Sequence, residues 1–198
     1  MLNLEPATRM LADLVQGIGD DQLSAPTPCS ETSLGDLLDH VDGLSLAFAA
    51  AAAKTPLDGG SQGPSADVSC LGSDWRRRIP ERLEALGKAW HEESAWTGMT
   101  EAGGVEMPGE VAGLVVLDEV VVHGWDVAVA SGQAFTCEPD LLQAVHEFVE
   151  ASVAENPQGS PGLFGPPVPV GRDAPLLERV IGLTGREPSW RRPSSDGR

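Results

Sequence analysis

An all-α fold is what this sequence predicts, and three observations carry the prediction. Apolar residues recur three and four positions apart in one long segment after another, the spacing of a helix face. Runs that alternate apolar and polar residues, the mark of half-buried strands, are nearly absent. The connections between the periodic segments are long and broken by Gly, Ser and Pro. Four helices of about 16–22 residues joined in this way suggest a four-helix bundle with a crossover connection.

Leu4, Ala7, Leu11, Leu14, Val15 and Ile18 share one face, so residues 3–18 form the first helix. Gly17, Gly19 and Asp20-Asp21 end it, and Pro26 and Pro28 mark a turn region. Ser33-Leu34-Gly35-Asp36 has the form of a capping box with Asp in the place of Glu. The helix it opens runs through Leu37, Leu38, Val41 and Leu44 into Ala49–Ala53, a strong helix-forming end. Residues 56–72, rich in Gly, Ser and Pro, form a flexible loop. Ser73 or Asp74 caps a third helix with Trp75, Ile79, Leu83, Leu86 and Trp90 inward, and Pro80 predicts a kink or a delayed start. Residues 96–108 hold a short strand or an irregular loop. A long helix runs from about Gly109-Glu110 to Ser131, with Gly132 as its stop. Another spans about Pro139 to Ala154. Asn156 to Val170 carries five prolines and is irregular. A short helix, Ala174 to Leu183, precedes the end of a single domain covering residues 1–190, and the polar residues 191–198 form a disordered tail.

A chain of 198 residues, 41% hydrophobic, suits one soluble domain with a sizeable core. Thirteen basic residues against thirty acidic ones argue against binding a phosphate backbone, so no nucleic-acid partner is expected. The apolar run Val111–Ala130 is interrupted by Asp118, Glu119, His123 and Asp126, which excludes a membrane span. The N-terminus has no signal-peptide features, and the expected location is cytoplasmic. Cys29, Cys70 and Cys137 are odd in number, widely spaced and without a CxxC, so they read as reduced thiols rather than as disulfides or a thiolate metal site. The cations are unevenly spread. Only Lys54 lies between Arg9 and Arg76, which makes Arg76-Arg77-Arg78 an isolated basic island.

The chemistry is concentrated on the helix through residues 109–131. Glu119 and His123 are four apart and Asp126 is three further on, so all three lie along one stripe of a helix that is otherwise apolar. Burying such groups is costly unless they are paired or bind a metal. A carboxylate and an imidazole on one helix face can serve as two metal ligands. His40 lies on an inward stripe of the second helix and is the candidate for the third. Two His and one Glu leave a coordination position open, the pattern of catalytic zinc sites. The alternative is a buried hydrogen-bonded cluster without metal. Asp126 or Asp36 could hold the far ring nitrogen of a histidine, and Asp126 is also the acid/base candidate. Trp125 reads as bundle packing, and His91 and His146, beside acidic neighbours, as surface residues. Cys29 has no partner base in sight.

Thr27-Pro28-Cys29-Ser30, Leu37-Leu38-Asp39-His40-Val41 and Glu119 through Asp126 together resemble the DinB/YfiT-like metal-binding superfamily. More narrowly, the chain resembles the actinobacterial mycothiol-dependent maleylpyruvate isomerase-like metal-binding proteins. Pro108-Gly109-Glu110-Val111, Pro161 through Pro166 and Leu183-Thr184-Gly185-Arg186 match that narrower group, so the resemblance covers almost the whole chain. It implies a DinB-like four-helix bundle, here with additional C-terminal helices and long loops. It also implies a divalent metal, zinc first and nickel as another candidate, held by His40, Glu119 and His123. Val127 stands four after His123, so the Glu-x-x-x-His variant of the superfamily's ligand pair applies. The isomerase also has a C-terminal domain, for which this chain is expected to be too short.

The function implied by the resemblance is that of a thiol-dependent transferase or isomerase. A low-molecular-weight thiol such as mycothiol would be activated at the metal and attack a small electrophile. Arg76, Arg77 or Arg78 could bind a carboxylate of the thiol or substrate, or could simply form a solvated helix face. The alternatives are metal-activated water in a hydrolase, lyase or isomerase, and a non-catalytic metal-dependent binding or stress protein. The chain is expected to be a monomer or a homodimer.

Overall fold

The structure, a computed structural model, describes residues 1–55, 64–159 and 163–193. In chain order it contains α1 (Glu5–Gln16), α2 (Leu34–Ala53), α3 (Trp75–Ala89), the single turn α4 (Glu93–Trp96), strands β1 (Met99–Ala102) and β2 (Val105–Pro108), α5 (Gly109–Ser131), α6 (Pro139–Glu155) and α7 (Leu176–Leu183). Helices α1, α2, α3 and α5 form the bundle. Both α1 and α2 pack on α3 and on α5, so the first two helices sit diagonally and the chain must cross between them. The predicted all-α bundle with a crossover is thus the observed fold. Helix α6 packs on α5, and α7 on α6.

Local chemistry explains the helix starts. The Ser33 hydroxyl accepts from the Asp36 amide at 3.2 Å, and the Asp36 carboxylate accepts from the Ser33 amide at 3.0 Å. This is the reciprocal capping box predicted for α2. Ser33→Ala should lower stability by about 1 kcal/mol, read as a fall in urea midpoint at unchanged m-value. Asp36 is thereby engaged as a cap, and its other oxygen accepts from the Val68 amide, so it is not the partner of a histidine.

Helix α3 begins at Trp75, with no delay at Pro80. Proline inside a helix costs about 3 kcal/mol. Trp75, Ile79, Leu83 and Leu86 are all buried on the same helix. Each such side chain contributes about 1.5–3 kcal/mol, so packing outweighs the lost bond. Asp74 stands at the N-cap position without capping through its side chain.

Residues 99–108 are a strand hairpin. Met99 pairs with Pro108 and Ala102 with Val105, antiparallel. Gly103 and Gly104 have φ of 58° and 81°, the left-handed values that a two-residue hairpin turn matching the strand twist demands. Gly132 ends α5 in the left-handed region, as expected.

Helix α5 is buried on nearly every side, because α1, α2 and α6 all cover it. That position is why its ionisable residues bear on function. His91 is exposed as expected, but His146 is not. It is 4% exposed, and its Nε2 lies 2.8 Å from Arg179 Nη2. Its acidic sequence neighbour points elsewhere on α6, while Val149, three residues on, is buried on the face it shares. The predicted loop 56–72 lies outside the described residues up to 63, and residues 64–72 hold one 3₁₀ turn, Val68–Cys70. Of the predicted tail, residues 194–198 lie outside the described residues, as do Pro161 and Gly162. No helix among the described residues is long and apolar enough to cross a membrane.

Candidate metal centre

Glu119 and His123, one turn apart on α5, meet His40 from α2. The carboxylate Oε2 of Glu119 is 3.0 Å from His123 Nε2 and 3.6 Å from His40 Nε2. The two imidazole rings stand edge to face with centroids 5.1 Å apart. One donor atom from each residue lies within 4.8 Å of the other two.

The second carboxylate of the stripe fixes one ring. Asp126, completely buried, has Oδ2 3.0 Å from His123 Nδ1. With a proton on Nδ1 donated to Asp126, Nε2 is the ring nitrogen left facing Glu119. Glu119 Oε2 is itself buried and makes no hydrogen bond of acceptable geometry among the described residues. A buried carboxylate oxygen facing two ring nitrogens is an array of electron-rich atoms that a cation or extra protons must balance. Two nitrogens and one carboxylate oxygen are a donor set that suits zinc or nickel. The residues present therefore fit a divalent metal.

The electrostatics point the same way. Burial works against a charged His123 ring, yet the Asp126 and Glu119 carboxylates outweigh it and raise the pKa from the ordinary 6.5 to about 10. Burial likewise opposes ionisation of Glu119, but the His123 and His40 rings hold its pKa below the usual carboxylate range. The cluster attracts a positive charge strongly enough to hold protons where a metal would compete for the place.

A second residue behind the centre is Arg186. It follows α7 and reaches back to α5. Its Nε donates to both carboxylate oxygens of Asp126 at 2.9 and 3.0 Å, and its Nη2 to Oδ2 at 2.9 Å. Burial opposes ionisation of Asp126, but the Arg186 charge and the His123 ring hold its pKa down. In front of the centre lies a cavity of about 430 Å³, lined by His40, Glu119 and His123 with Cys29, Leu37, Phe164 and Arg186 among its other walls. A larger cleft of about 680 Å³, between α1 and residues 133–139, holds none of these groups.

The family model for the mycothiol maleylpyruvate isomerase N-terminal domain matches residues 4–128. The chain belongs to that family. The matched stretch of this DinB-like fold holds α1, α2, α3 and most of α5, with the three converging residues. Two Mycobacterium tuberculosis proteins from different strains, each described only as an uncharacterized protein, are 30% identical over 183 residues, covering 88% of this chain and 91% of each relative. Among solved structures, the crystal structure of the mycothiol-dependent maleylpyruvate isomerase matches with a TM-score of 0.64 at 15% identity, over 97% of this chain and 90% of that one. The sequence was expected to be too short for that protein's C-terminal domain, whereas the match reaches 90% of its chain. Residues beyond 128 also have structural counterparts in that fold.

The sequence-predicted residues separate into two places. His40, Glu119, His123 and Asp126 come together. Arg76, Arg77 and Arg78 do not line the cavity. Arg76 donates to the Ile18 carbonyl and pairs with Asp20 at 2.8 Å. Arg77 pairs with Asp74 and Glu81, and Arg78 with Asp42 and Asp74. The arginine that does reach the cavity, Arg186, is not among the residues that spacing and composition single out, and neither is Asp118. Burial, with the Glu119 charge adding to it, pushes the Asp118 carboxyl well above its ordinary range. Its Oδ1 has no hydrogen-bond partner among the described residues. Cys29 lines the cavity, whereas Cys70 is exposed elsewhere. Burial, with the neighbouring Glu138 charge behind it, pushes the Cys137 thiol up to about 11. At pH 8 only about a thousandth of it is thiolate. Iodoacetamide should therefore label Cys70 well before Cys137, and equal labelling rates by mass spectrometry would contradict that burial.

Proposed function

We propose that this protein is a divalent-metal-dependent enzyme, zinc being the favoured metal, that uses a low-molecular-weight thiol of the mycothiol type in a transferase or isomerase reaction on a small electrophile. The observation that carries the reading is the convergence of His40, Glu119 and His123 at the wall of an accessible cavity. Family membership supports the thiol, because the family takes its name from a mycothiol-dependent isomerase.

In this reading His40, Glu119 and His123 hold the metal and leave a position open toward the cavity. A metal bound there supplies Lewis acidity and favours the thiolate form of an incoming thiol at neutral pH. The protein's own side chains do the rest. Asp126 keeps the His123 proton on Nδ1, so that Nε2 remains a donor. Its oxygens are engaged by His123 and Arg186, which favours orientation of that ring over direct acid/base work on a substrate. Leu37 and Phe164 give the cavity an apolar wall that removes water from an approaching electrophile. Among the described residues, the only arginine on that wall is engaged with Asp126, so the wall offers no free guanidinium to a substrate carboxylate.

Calorimetry on the zinc-loaded protein with mycothiol, followed by addition of a generic electrophile and mass spectrometry of the products, tests this directly. Binding of the thiol and a thiol conjugate or isomerised product support it. Zinc binding without any thiol binding would remove the thiol and favour metal-activated water instead.

A further inference from the structure

We propose that Arg186 is a positioning residue of the metal centre, which holds the Asp126 carboxylate so that His123 presents Nε2 to the metal. This rests on the reading of His40, Glu119 and His123 as ligands and adds to it a residue 60 positions beyond Asp126, outside the stretch that the family model matches.

The backbone explains how Arg186 comes to be there. Helix α7 ends with the Gly185 amide donating to Gly182 and the Arg186 amide donating to Ile181, at 3.0 and 3.1 Å. Gly185 has φ of 81°. This is a Schellman stop, in which the left-handed residue turns the chain and the next residue closes the six-residue bond. A side chain on Gly185 would also meet the Gly165 backbone at 2.9 Å, so the turn is held against the loop that carries Phe164. The side chain of the next residue is thereby directed back at α5.

The contacts are specific to a guanidinium. Nε and Nη2 reach the two oxygens of one carboxylate, and Nη1 donates to the Thr184 carbonyl at 3.2 Å. A planar fork fixes the rotation of the carboxylate as well as its place, which a lysine ammonium cannot do. Once Asp126 is fixed, Oδ2 is fixed opposite His123 Nδ1. The ring then has one orientation, with Nδ1 committed to Asp126. Arg186 is 9% exposed and Asp126 is fully buried, so the pair is largely shielded from water.

The test compares Arg186→Gln, Arg186→Lys and the parent chain. Zinc affinity is measured by competition with a chromophoric chelator, the visible spectrum is taken on the cobalt-loaded proteins, and the histidine ring is followed by ¹⁵N NMR on the metal-free proteins. Loss of a partner behind a metal ligand typically lowers affinity about 10–100-fold. That fall is expected for Arg186→Gln, with partial rescue in Arg186→Lys. The cobalt bands should shift, and the His123 Nδ1–H resonance should move or broaden. A merely structural role would lower the melting temperature and leave the cobalt spectrum and the Nδ1 resonance where they are, which would overturn the proposal. Should Arg186→Gln fail to fold, Arg186→Lys decides by itself: an Nδ1 resonance identical to that of the parent overturns the positioning role. If the parent binds no zinc while the Nδ1 signal still moves in the variants, the metal reading fails and the positioning of His123 stands.

Discussion

His123→Ala is expected to purify without zinc while retaining the helical circular dichroism of the parent. The metal affinity should fall by more than about 100-fold, since even changing a partner behind a ligand costs about 10–100-fold. The fold should survive because Asp126 keeps its three hydrogen bonds from Arg186 and is not left as an unpaired buried charge. His40→Ala should act in the same direction. The parent at a zinc concentration of 100 times Kd gains about 2.7 kcal/mol from binding, and that increment should be absent in both variants, read as a melting temperature that no longer responds to zinc or to a chelator. Zinc content by elemental analysis checks the first claim, and normal content in both variants would refute the ligand assignment. The same site predicts a pH dependence. With the pKa of His123 raised to about 10 in the metal-free protein, the ring is protonated at pH 7 and must lose that proton before Nε2 can bind. Affinity therefore rises with pH, about tenfold per unit, and flattens as pH passes the folded value of about 10. Calorimetry in two buffers of different ionisation enthalpy should detect about one proton released per zinc at pH 7. No released proton would mean that the ring is already neutral.

What the sequence made legible and what it hid divide along physical lines. Spacing along a helix converts directly into direction, so Glu119, His123 and Asp126 could be placed on one stripe, and the apolar neighbours of His40 turned it inward. The capping pair Ser33 and Asp36 and the stop at Gly132 were legible for the same reason, being local. The three arginines were singled out because cations are scarce elsewhere, with a solvated helix face as the other reading, and their ion pairs with acids are those of such a face. Their neutralising acids were within reach of the same reasoning, since Asp74 and Glu81 stand three and four residues from Arg77, the spacing of a helical ion pair. His146 was placed by its sequence neighbours when its helical neighbours decide burial. The hairpin carried a usable signal, Gly103-Gly104 between two short runs. Arg186 carried no periodic signal, and only the family-like segment Leu183-Thr184-Gly185-Arg186 contained it. Its role depends on a turn after α7 meeting a helix 60 residues earlier, and no periodicity encodes a long-range contact of that kind.

Asp126→Leu should destabilise the protein by about 3–5 kcal/mol, and the double variant Asp126→Leu/Arg186→Met should recover most of that loss. The substitution at 126 is nearly isosteric, so the cost is electrostatic. It strands a guanidinium that is 9% exposed and whose strongest partner is gone, and removing one member of a buried ion pair costs about 3–5 kcal/mol. Replacing both members with apolar groups of similar shape is often neutral, because neither charge is then left to desolvate alone. Recovery here should be incomplete. His123 Nδ1–H also loses its acceptor in the double variant, and an orphaned buried donor costs about 1–3 kcal/mol. Urea unfolding of the parent, Asp126→Leu, Arg186→Met and the double variant, with zinc removed by chelator, measures each term and their coupling. A double variant as unstable as Asp126→Leu would mean that the pair is not the unit that matters. Zinc affinity should not recover with stability: the double variant has a stable helix pair and no device to orient the ring. A variant that regains its fold without regaining its metal would separate what Asp126 and Arg186 do for the bundle from what they do for the centre.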